Sequence, residues 1–292
     1  MSESIVEWAP AKLNVFLRVV GRRDDGDHDI ETVIVPLDLH DVVTITTATV
    51  HEVTVEGPRA ADLHAAGGES IAGRALAAFA EVLGVPVPPV HVSIDKRIPV
   101  AAGMGGGSAD AAAVLRGLAR HLGVAASALP EVAAAVGADV PALLHGGVVY
   151  ADGRGDRIAP VHAQPTTWVV APARFGVRSV DAYAWWDADG TTGPDPGALI
   201  AALEVGHHDL LGSALFDDLQ RPVAARHPWV SETIDAFGEA GAAGAVMTGS
   251  GPTVVALARH LVHADVIARA VPGSFVVTGP PRTMGPGQSG VV

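Results

Sequence analysis

A glycine-rich stretch in the first half of the chain, PVAAGMGGGSADAAAVL over residues 99–115, has the composition of an anion-binding loop. Its four glycines precede a run rich in alanine that predicts a helix. Backbone N–H groups at a helix N-terminus attract anions, and glycine lets a phosphate approach them closely. Because a regular helix follows from Ser108 and Ala109, the stretch favours a phosphate loop over a flexible turn.

Two familiar phosphate motifs do not describe this loop. A Walker loop ends in Gly-Lys-Ser or Gly-Lys-Thr, whereas here Gly107 directly precedes Ser108 and no lysine is present. The dinucleotide fingerprint G-x-G-x-x-G starts at Gly103 and Gly105 but fails at Ser108. The sequence therefore predicts a phosphate site of another kind, in which Ser108 is equally a candidate N-cap residue.

The elements that must position this loop alternate between strands and helices. Period-two and helical spacings of apolar residues distinguish them. Strands are predicted at 13–19, twice within 41–57, and at 90–96, 167–173, 244–249, 253–258 and 274–279. Helices are predicted at 69–84, after the glycines, and at 127–136, 179–187, 197–204, 229–240 and 260–270.

Length and a change of composition predict two domains in the 292-residue chain. Gly, Pro and polar residues interrupt the apolar pattern over 152–167, so we place a boundary there. The expected domains are 1–158 and 159–279. The remaining 280–292 has too few apolar residues to pack, which predicts a disordered tail.

Composition excludes several classes of protein. Cysteine is absent, which rules out disulfides and thiolate chemistry. The net charge of −13 argues against a nucleic-acid binder, because such proteins need clustered Lys and Arg. No apolar run reaches the roughly 20 residues of a membrane span, and no signal peptide is visible. We expect a cytoplasmic protein without nucleic-acid or membrane partners, either a monomer or a weak homodimer.

Four sequence blocks, at 9–41, 99–115, 137–156 and 246–258, resemble in order those of the GHMP small-molecule kinases. The Pro-Ala-Lys-Leu-Asn start resembles the branch that acts on 4-diphosphocytidyl-2-C-methyl-D-erythritol in isoprenoid-precursor synthesis. The resemblance implies a mixed α/β (α+β) fold with a ribosomal-protein-like N-terminal domain and a ferredoxin-like C-terminal domain. It also implies an interdomain cleft in which ATP phosphorylates the 2-hydroxyl of a small-molecule substrate.

The resemblance assigns catalysis to two residues. Asp139 in GADVPALL matches the general base, and Lys12 matches the lysine that pairs with it and steadies developing charge. A carboxylate beside a lysine favours the ionised form that a base needs. From the residues alone, Asp139 is equally an N-cap for 140–144 and Lys12 a solvated surface lysine.

The resemblance also implies an ATP site with Mg²⁺. Ser108 would offer its hydroxyl to the metal ion or to the β-phosphate. The residues expected around the nucleotide are Pro99, Ala101, Gly103, Met104, Gly105, Gly106, Gly107, Ser108, Ala109, Lys96 and Ser70. In the family an asparagine stands where this chain has Ser70, a departure that concerns ATP alone.

On the acceptor side, His28 matches the histidine that binds cytosine and Tyr183 the aromatic that stacks on it. The full set expected at the substrate is Asn14, Asp27, His28, Ser179, Tyr183, Gly249 and Gly251. Asp27 departs from the family's tyrosine, so a paralogue acting on another small-molecule alcohol stays open. An RNA-binding module stays as a remote alternative, disfavoured by 19 basic against 32 acidic residues.

Overall fold

The computed structural model describes residues 4–65 and 71–281, which form two β-sheets with helices around them. The strands are β1 Ile5–Arg22, β2 His28–Thr47, β3 Glu52–Glu56, β4 Val90–Asp95, β5 Val149–Asp152, β6 Arg157–Pro160, β7 Thr166–Ala171, β8 Phe216–Asp217, β9 Gly244–Met247, β10 Val254–Ala258 and β11 Phe275–Gly279. The helices are α1 Ala60–Ala65, α2 Ala72–Leu83, α3 Gly106–Leu122, α4 Leu129–Val136, α5 Val140–His145, α6 Ser179–Asp189, α7 Gly197–Val205, α8 His208–Ala214, α9 Gln220–Arg226, α10 Trp229–Glu239 and α11 Leu261–Ala268. Within these two stretches of chain, every helix is too short or too polar to cross a membrane.

The first sheet is built on the long antiparallel pair β1 and β2. Its main path runs in the order β3-β4-β2-β1-β8, and both β3 with β4 and β8 with β1 pair in parallel. β5 adds to β2, and β6 to β5. Because β8 comes from the second half of the chain, it ties that half to the strand that carries Lys12.

The alternating apolar residues of β1 supply two different cores. Leu13 and Val15 are fully buried in the cluster that includes the alanines of α3. Leu17 and Val19 instead belong to a cluster with Val169 of the second sheet. The predicted strand at 13–19 is confirmed. Because its apolar side chains are buried in two cores, the polar residues between them are held in place.

The segment 152–167 is predicted to be irregular, but part of it forms a short hairpin. β5 and β6 pair in antiparallel fashion around a turn that contains Gly153 and Gly155. Both glycines have positive φ, at 66° and 94°, a conformation that side chains disfavour. These turn residues lie in the stretch where the sequence predicts a domain boundary, and in the structure they close a hairpin of the first sheet. The division into 1–158 and 159–279 stays a prediction.

The second sheet is antiparallel, with the order β11-β7-β10-β9. Helices α10 and α11 pack against it. Trp168 of β7 is fully buried, and its indole N–H donates to Thr166 Oγ1 at 2.8 Å. All four strands were predicted. Together with the first sheet, this arrangement confirms the mixed α/β class with an α+β second half.

Several predicted details are wrong at helix starts. α3 begins at Gly106, with Gly105 in the N-cap position at φ 67°, so Ser108 lies inside the first turn and is not an N-cap. α2 begins at Ala72, after Ile71 in the N-cap position, and the predicted start at 69 lies outside the described residues. The short elements α1, α8, α9 and β8 were not predicted, since each is too brief to show a period. Ser70 and most of the predicted tail, 282–292, lie outside the described residues.

Candidate functional site

Lys12 and Asp139 meet between the glycine loop and the second half of the molecule. Lys12 Nζ lies 3.5 Å from Asp139 Oδ2, and the lysine side chain is 5 % exposed while the aspartate is 37 % exposed. Asp139 does occupy the N-cap position of α5, yet its side chain forms no capping hydrogen bond. Its carboxylate therefore faces Lys12 and solvent rather than the helix end.

Asn14 holds the lysine ammonium in place. Its Oδ1 accepts from Lys12 Nζ at 2.5 Å, and its Nδ2 donates to Thr32 Oγ1 at 2.7 Å. Its backbone N–H donates to Thr248 Oγ1 at 2.8 Å. The side chains of this network are buried: Lys12, Asn14, Thr32 and Thr248. The hydrogen bonds therefore fix the orientation of the Asn14 amide and the position of the Lys12 ammonium.

The glycine loop is attached directly to the strand that carries Lys12. The backbone N–H of Lys12 donates to the carbonyl of Met104 at 3.0 Å. A Cβ on Gly105 would lie 2.9 Å from Lys12 Cγ, and one on Gly106 would lie 3.0 Å from Lys96 Nζ. At these two positions glycine makes room for lysine side chains of the protein itself.

Gly107 differs from Gly105 and Gly106, because a side chain at this position would have space around it. The nearest atoms to a Cβ there belong to Ile71, at 3.8 Å, and the residue is exposed. Both residues line a cavity of about 360 Å³ beside the loop. Of the described residues expected at the nucleotide, all but the buried Ala109 line this cavity. Ala101 at its rim has φ 56°, a strained value for a residue other than glycine.

Lys96 forms the floor of the loop together with two acids. Its ammonium contacts Asp41 Oδ2 and Asp110 Oδ2, each at 2.6 Å. Burial disfavours its charge, but the two carboxylates outweigh burial and raise the pKa of Lys96. Burial also raises the pKa of Asp110 well above its usual range, against the opposing pull of Lys96. The charge of Lys96 is therefore engaged inside the protein, beneath the loop.

A second glycine loop, 248–251, closes against the first. A Cβ on Gly103 would lie 3.0 Å from the carbonyl oxygen of Thr248, so the two backbones are in close contact. Gly249 has φ 59°, and a Cβ there would lie 2.8 Å from Asn14 Oδ1. A Cβ on Gly251 would collide with Met247. Gly249 thus borders Asn14 and Lys12, whereas Gly251 serves the packing of the turn.

An aromatic pair lies on the other side of Asp139. The rings of His28 and Tyr183 stack with centroids 4.7 Å apart, and the edge of Trp186 meets His28 at 5.9 Å. His28 Nε2 is 2.7 Å from Asp187 Oδ1. His28 and Tyr183, both expected at the substrate's cytosine, lie side by side in the structure, and the histidine covers one face of the tyrosine ring.

The hydroxyl of Tyr183 lies in an acidic environment. Burial raises the pKa of Tyr183, and the carboxyl groups of Asp217, Asp139 and Asp27 raise it further. The hydroxyl therefore keeps its proton through the neutral range and is available as a hydrogen-bond donor. Its position links the aromatic pair to the same carboxylate, Asp139, that faces Lys12.

A cleft of about 680 Å³ separates the aromatic pair from the segment that leads to α5. Asp27 lines it, and its carboxylate lies 3.5 Å from the guanidinium of Arg154. Ser179 lines it as well, and its hydroxyl donates to Ser250 Oγ at 3.0 Å. Ala138 is also part of the wall, so the cleft reaches the residue next to Asp139.

Sequence reasoning missed several residues of the site. Nothing in the sequence around Thr32 and Thr248 indicates a role at the site. Their contacts with Asn14 depend on which segments become neighbours in the fold. Asp110 could have been found from the sequence, since an acid on the buried face of an alanine-rich helix needs a charged or hydrogen-bonding partner. Arg154 lies in the stretch 152–167, where the sequence predicts irregular structure and a domain boundary but no site residue.

Metal-binding clusters are not found in the described residues. Within 4–65 and 71–281, no group of three or more His, Cys, Asp or Glu side chains is arranged to hold a metal ion. Ser108 is then the candidate that the glycine loop offers, since Asp110 in the next turn is 3 % exposed and bound to Lys96.

Two family descriptions match separate parts of the chain. "GHMP kinases N terminal domain" matches residues 70–147, which include the glycine loop and Asp139. "GHMP kinases C terminal" matches residues 199–277, which include the second glycine loop. The two matches lie on the two halves that meet at Lys12, Gly103 and Thr248.

Curated relatives are similar over most of their length. A 4-diphosphocytidyl-2-C-methyl-D-erythritol kinase of Kineococcus radiotolerans is 41 % identical over 91 % of this chain and 85 % of the relative. One of Streptomyces avermitilis is 39 % identical over 92 % of each.

Solved structures agree with that similarity. A crystal structure of 4-(cytidine 5'-diphospho)-2C-methyl-D-erythritol kinase aligns with a TM-score of 0.79 at 30 % identity, over 95 % of this chain and 100 % of the other. A homoserine kinase from Cytophaga hutchinsonii aligns with a TM-score of 0.73 at 19 % identity, over 99 % and 97 %. At that identity the second alignment shows a shared fold alone.

Proposed function

The chain belongs to the GHMP kinases, and from that premise we propose that it phosphorylates the 2-hydroxyl of 4-diphosphocytidyl-2-C-methyl-D-erythritol with ATP. Membership of a kinase family implies the use of ATP on a small-molecule acceptor. The choice of acceptor is supported by the names of relatives that are about 40 % identical over nearly the whole chain. The residue roles below are part of the proposal.

One observation carries the proposal: the pair of Lys12 and Asp139 has a cavity on each side. The glycine-loop cavity reaches Gly105, which touches Lys12. The aromatic cleft reaches Ala138, next to Asp139. Phosphoryl transfer needs a donor and an acceptor held in line across a polar centre, and this arrangement supplies two compartments that meet there.

The glycine loop fits the phosphates of ATP. α3 is 17 residues long, and its first turn presents backbone N–H groups at the open side of Gly107 and Ser108. Those amides and the helix dipole attract anions without needing a lysine in the loop. The nucleoside would extend along the cavity wall formed by Ile71 and Arg74.

Mg²⁺ would be held mainly by the phosphates, with the hydroxyl of Ser108 as its protein ligand. Mg²⁺ commonly keeps several waters and takes few protein ligands at such sites. Bound there, the ion would neutralise charge on the transferred group. Asp110 is 3 % exposed and contacts Lys96 through Oδ2, so the more exposed hydroxyl of Ser108 is the protein ligand that we propose.

Asp139 is the proposed base. Its carboxylate is partly exposed, next to Ala138 of the acceptor cleft, and would take the proton of the acceptor hydroxyl. Lys12, fixed by Asn14, orients that carboxylate and stabilises negative charge that develops between the two compartments. The second glycine loop brings Gly249 against Asn14 and Lys12, where a side chain would collide with the Asn14 amide.

The cytosine of the acceptor would be bound by His28 and Tyr183. The two rings stack on each other and line the cleft, and the Tyr183 hydroxyl offers a donor. His28 is fixed by Asp187, so its second ring nitrogen has a set direction. Arg22 and Arg154 both line the cleft and are the cations that would meet a diphosphate bound there; Arg154 also contacts Asp27.

The test is ATP turnover against four acceptors: 4-diphosphocytidyl-2-C-methyl-D-erythritol, homoserine, mevalonate and galactose. Formation of ADP is followed, and the product is identified by ³¹P NMR. We expect kcat/KM to be highest for the cytidyl compound. A higher value for another alcohol would overturn the acceptor and leave a GHMP kinase of different specificity. Absence of Mg²⁺ should abolish turnover of every acceptor.

A further inference from the structure

Asp41 is a fully buried acid that contacts the segment leading into the glycine loop. The ladder between β2 and β4 ends with Val42 opposite Asp95, so the backbone that follows leaves the sheet. There Asp41 Oδ1 accepts from the backbone N–H groups of Arg97 at 2.5 Å and Ile98 at 2.8 Å. Backbone amides that leave a ladder need another acceptor, and here one carboxylate supplies it.

The other oxygen of Asp41 is connected through Lys96 to the far end of the loop. Asp41 Oδ2 accepts from Lys96 Nζ at 2.6 Å. The same ammonium donates to Oδ2 of Asp110, in the second turn of α3, also at 2.6 Å. Among the described residues, Asp110 Oδ1 has no hydrogen-bonding partner, so the place of this buried carboxylate depends on Lys96. Three buried side chains thus join the segment that enters the loop to the helix that leaves it.

The loop between these two ends has a backbone that needs support. Ala101, Gly103 and Gly105 all have positive φ, at 56°, 69° and 67°. For alanine this conformation is strained, and a strained backbone persists only where the surrounding structure holds it. The first turn of α3 also lies directly on Lys96, since a Cβ on Gly106 would be 3.0 Å from Lys96 Nζ. Fixed ends therefore restrict the loop before any ligand arrives.

We propose that Asp41 and Lys96 are positioning residues for ATP, which together with Asp110 form a clamp that holds both ends of the glycine loop in the conformation that binds phosphates. The inference rests on the proposed binding of ATP at this loop, and not on the identity of the acceptor. A ligand that meets a preformed loop does not have to order it, which raises affinity. A loop that adopts the binding conformation only a tenth of the time binds about tenfold more weakly.

Asp41→Asn and Asp41→Leu remove the clamp in two steps. Asparagine has one acceptor oxygen in place of two, so it can serve the backbone amides or Lys96 but not both, and leucine serves neither. We expect the Kd for ATP, measured by calorimetry per folded molecule, to rise about threefold for Asp41→Asn and at least about tenfold for Asp41→Leu. The KM for ATP should rise in parallel. At saturating ATP, kcat should change less than KM, because the catalytic pair keeps its contacts.

Glu7→Gln is the matched control. Glu7 is a buried acid of β1, and its two oxygens contact Arg116 at 3.2 Å and Arg120 at 2.6 Å, in the second half of α3. Its replacement should lower the melting temperature without changing the Kd for ATP. A merely structural role of Asp41 would give the same pattern in its own variants.

Hydrogen exchange in the wild type tests the clamp without any variant. The backbone N–H groups of Arg97 and Ile98 lie beyond β4, and we expect NMR to show them exchanging as slowly as the amides of that strand. Fast exchange there would overturn the proposal. Unchanged ATP affinity in a folded Asp41→Leu protein, or an equal loss of affinity in Glu7→Gln, would overturn it as well.

The same measurements separate the clamp from the proposed function. A wild type that binds no ATP while these two amides stay protected would overturn ATP binding at the loop and leave the loop held at both ends. Normal ATP affinity in both Asp41 variants would overturn the clamp alone. If the leucine variant does not fold, Asp41→Asn and the exchange rates decide the matter.

Discussion

The ammonium of Lys12 lies 3.5 Å from the carboxylate of Asp139, although one residue is in the first strand and the other opens α5. Neither partner is held by this contact alone. Asn14 fixes Lys12 from one side, and the start of α5 fixes the backbone of Asp139. The pair is therefore set by the fold before any ligand binds, which is the condition for efficient proton transfer and charge stabilisation.

Replacing Asp139 with Asn should lower kcat by at least about 10²-fold, the lower range for a positioned base. The amide keeps the shape but cannot take the proton. The affinity for ATP should persist, because the glycine loop lies on the other side of Lys12. Steady-state kinetics and calorimetric titration with ATP measure the two effects.

Lys12→Ala should give a comparable loss of kcat. It should also release Asn14, whose Oδ1 would lose the ammonium that it accepts from. Circular dichroism of each variant controls for folding. Wild-type turnover in a folded Asp139→Asn protein would contradict the assignment of the base.

The glycines of the loop should differ in what they do. Gly107→Val should weaken ATP binding with little change in melting temperature, because its side chain would enter the cavity. Gly106→Val should lower the melting temperature as well, since its Cβ would lie 3.0 Å from Lys96 Nζ and 3.2 Å from Ile98 Cγ2. Calorimetry with ATP and thermal unfolding separate the two effects.

Gly107→Ala is the graded control, with an intermediate effect on ATP affinity. Unchanged ATP affinity in Gly107→Val would show that the phosphates bind elsewhere. The loop would then be a plain turn, as the glycine content alone also allows.

Several residues of the candidate site stand in short continuous stretches of sequence, although it is the family resemblance that pairs Lys12 with Asp139. The loop at 99–115 shows its chemistry through the order of glycines and alanines, which local backbone physics can interpret. Lys12 and Asn14 stand side by side on one strand, two residues apart. The order of strands and helices was also predictable, because the periods of their apolar residues are clear.

The remainder depends on contacts between distant segments, which no local pattern encodes. Thr248 reaches Asn14 only because the two glycine loops pack together. The strand β8 was missed because it has two residues and no period. The interpretation of Gly105 and Gly106 was incomplete for the same reason, since the atoms that crowd them belong to Lys12 and Lys96 from other strands.

Lys96→Met should destabilise the protein by about 3–5 kcal/mol, the cost of breaking a buried ion pair. The substitution leaves the carboxyl groups of Asp41 and Asp110 buried and uncompensated. Chemical denaturation at several pH values measures the change. Arg97→Met, which removes an exposed contact with Asp95, is a control with little expected effect.

The pH dependence of that loss has a definite sign. Burial raises the folded-state pKa of Asp110, so the folded protein holds this proton more tightly than the unfolded chain does. The contribution of Asp110 to the free energy of unfolding is therefore present at low pH and is lost as pH rises through the folded-state pKa. Without Lys96 that pKa rises further. The cost of Lys96→Met should therefore be largest at neutral and alkaline pH and should shrink on acidification. A cost that grows towards low pH would contradict the ion-pair explanation.

Asp27 and Arg154 form an exposed pair at the mouth of the acceptor cleft, 3.5 Å apart. An aspartate cannot stack on a base, and its charge repels phosphates, although Arg154 offsets part of that repulsion. Recognition of cytosine then depends on Tyr183 and His28. Arg154→Ala should weaken binding of CDP, because it removes the cation and leaves Asp27 uncompensated.

Asp27→Tyr should tighten binding of CDP, while Tyr183→Ala should weaken it. Stacking of a base on an aromatic side chain contributes about 1–3 kcal/mol, which corresponds to a change in Kd of roughly five- to 150-fold. Titration calorimetry of CDP into wild type and both variants measures this, and cytidine without phosphates separates stacking from charge. Asp24→Tyr, in the same turn but not in the cleft wall, controls for an added exposed aromatic. If no variant binds CDP, the acceptor carries no cytosine, and the chain is a GHMP kinase for another alcohol.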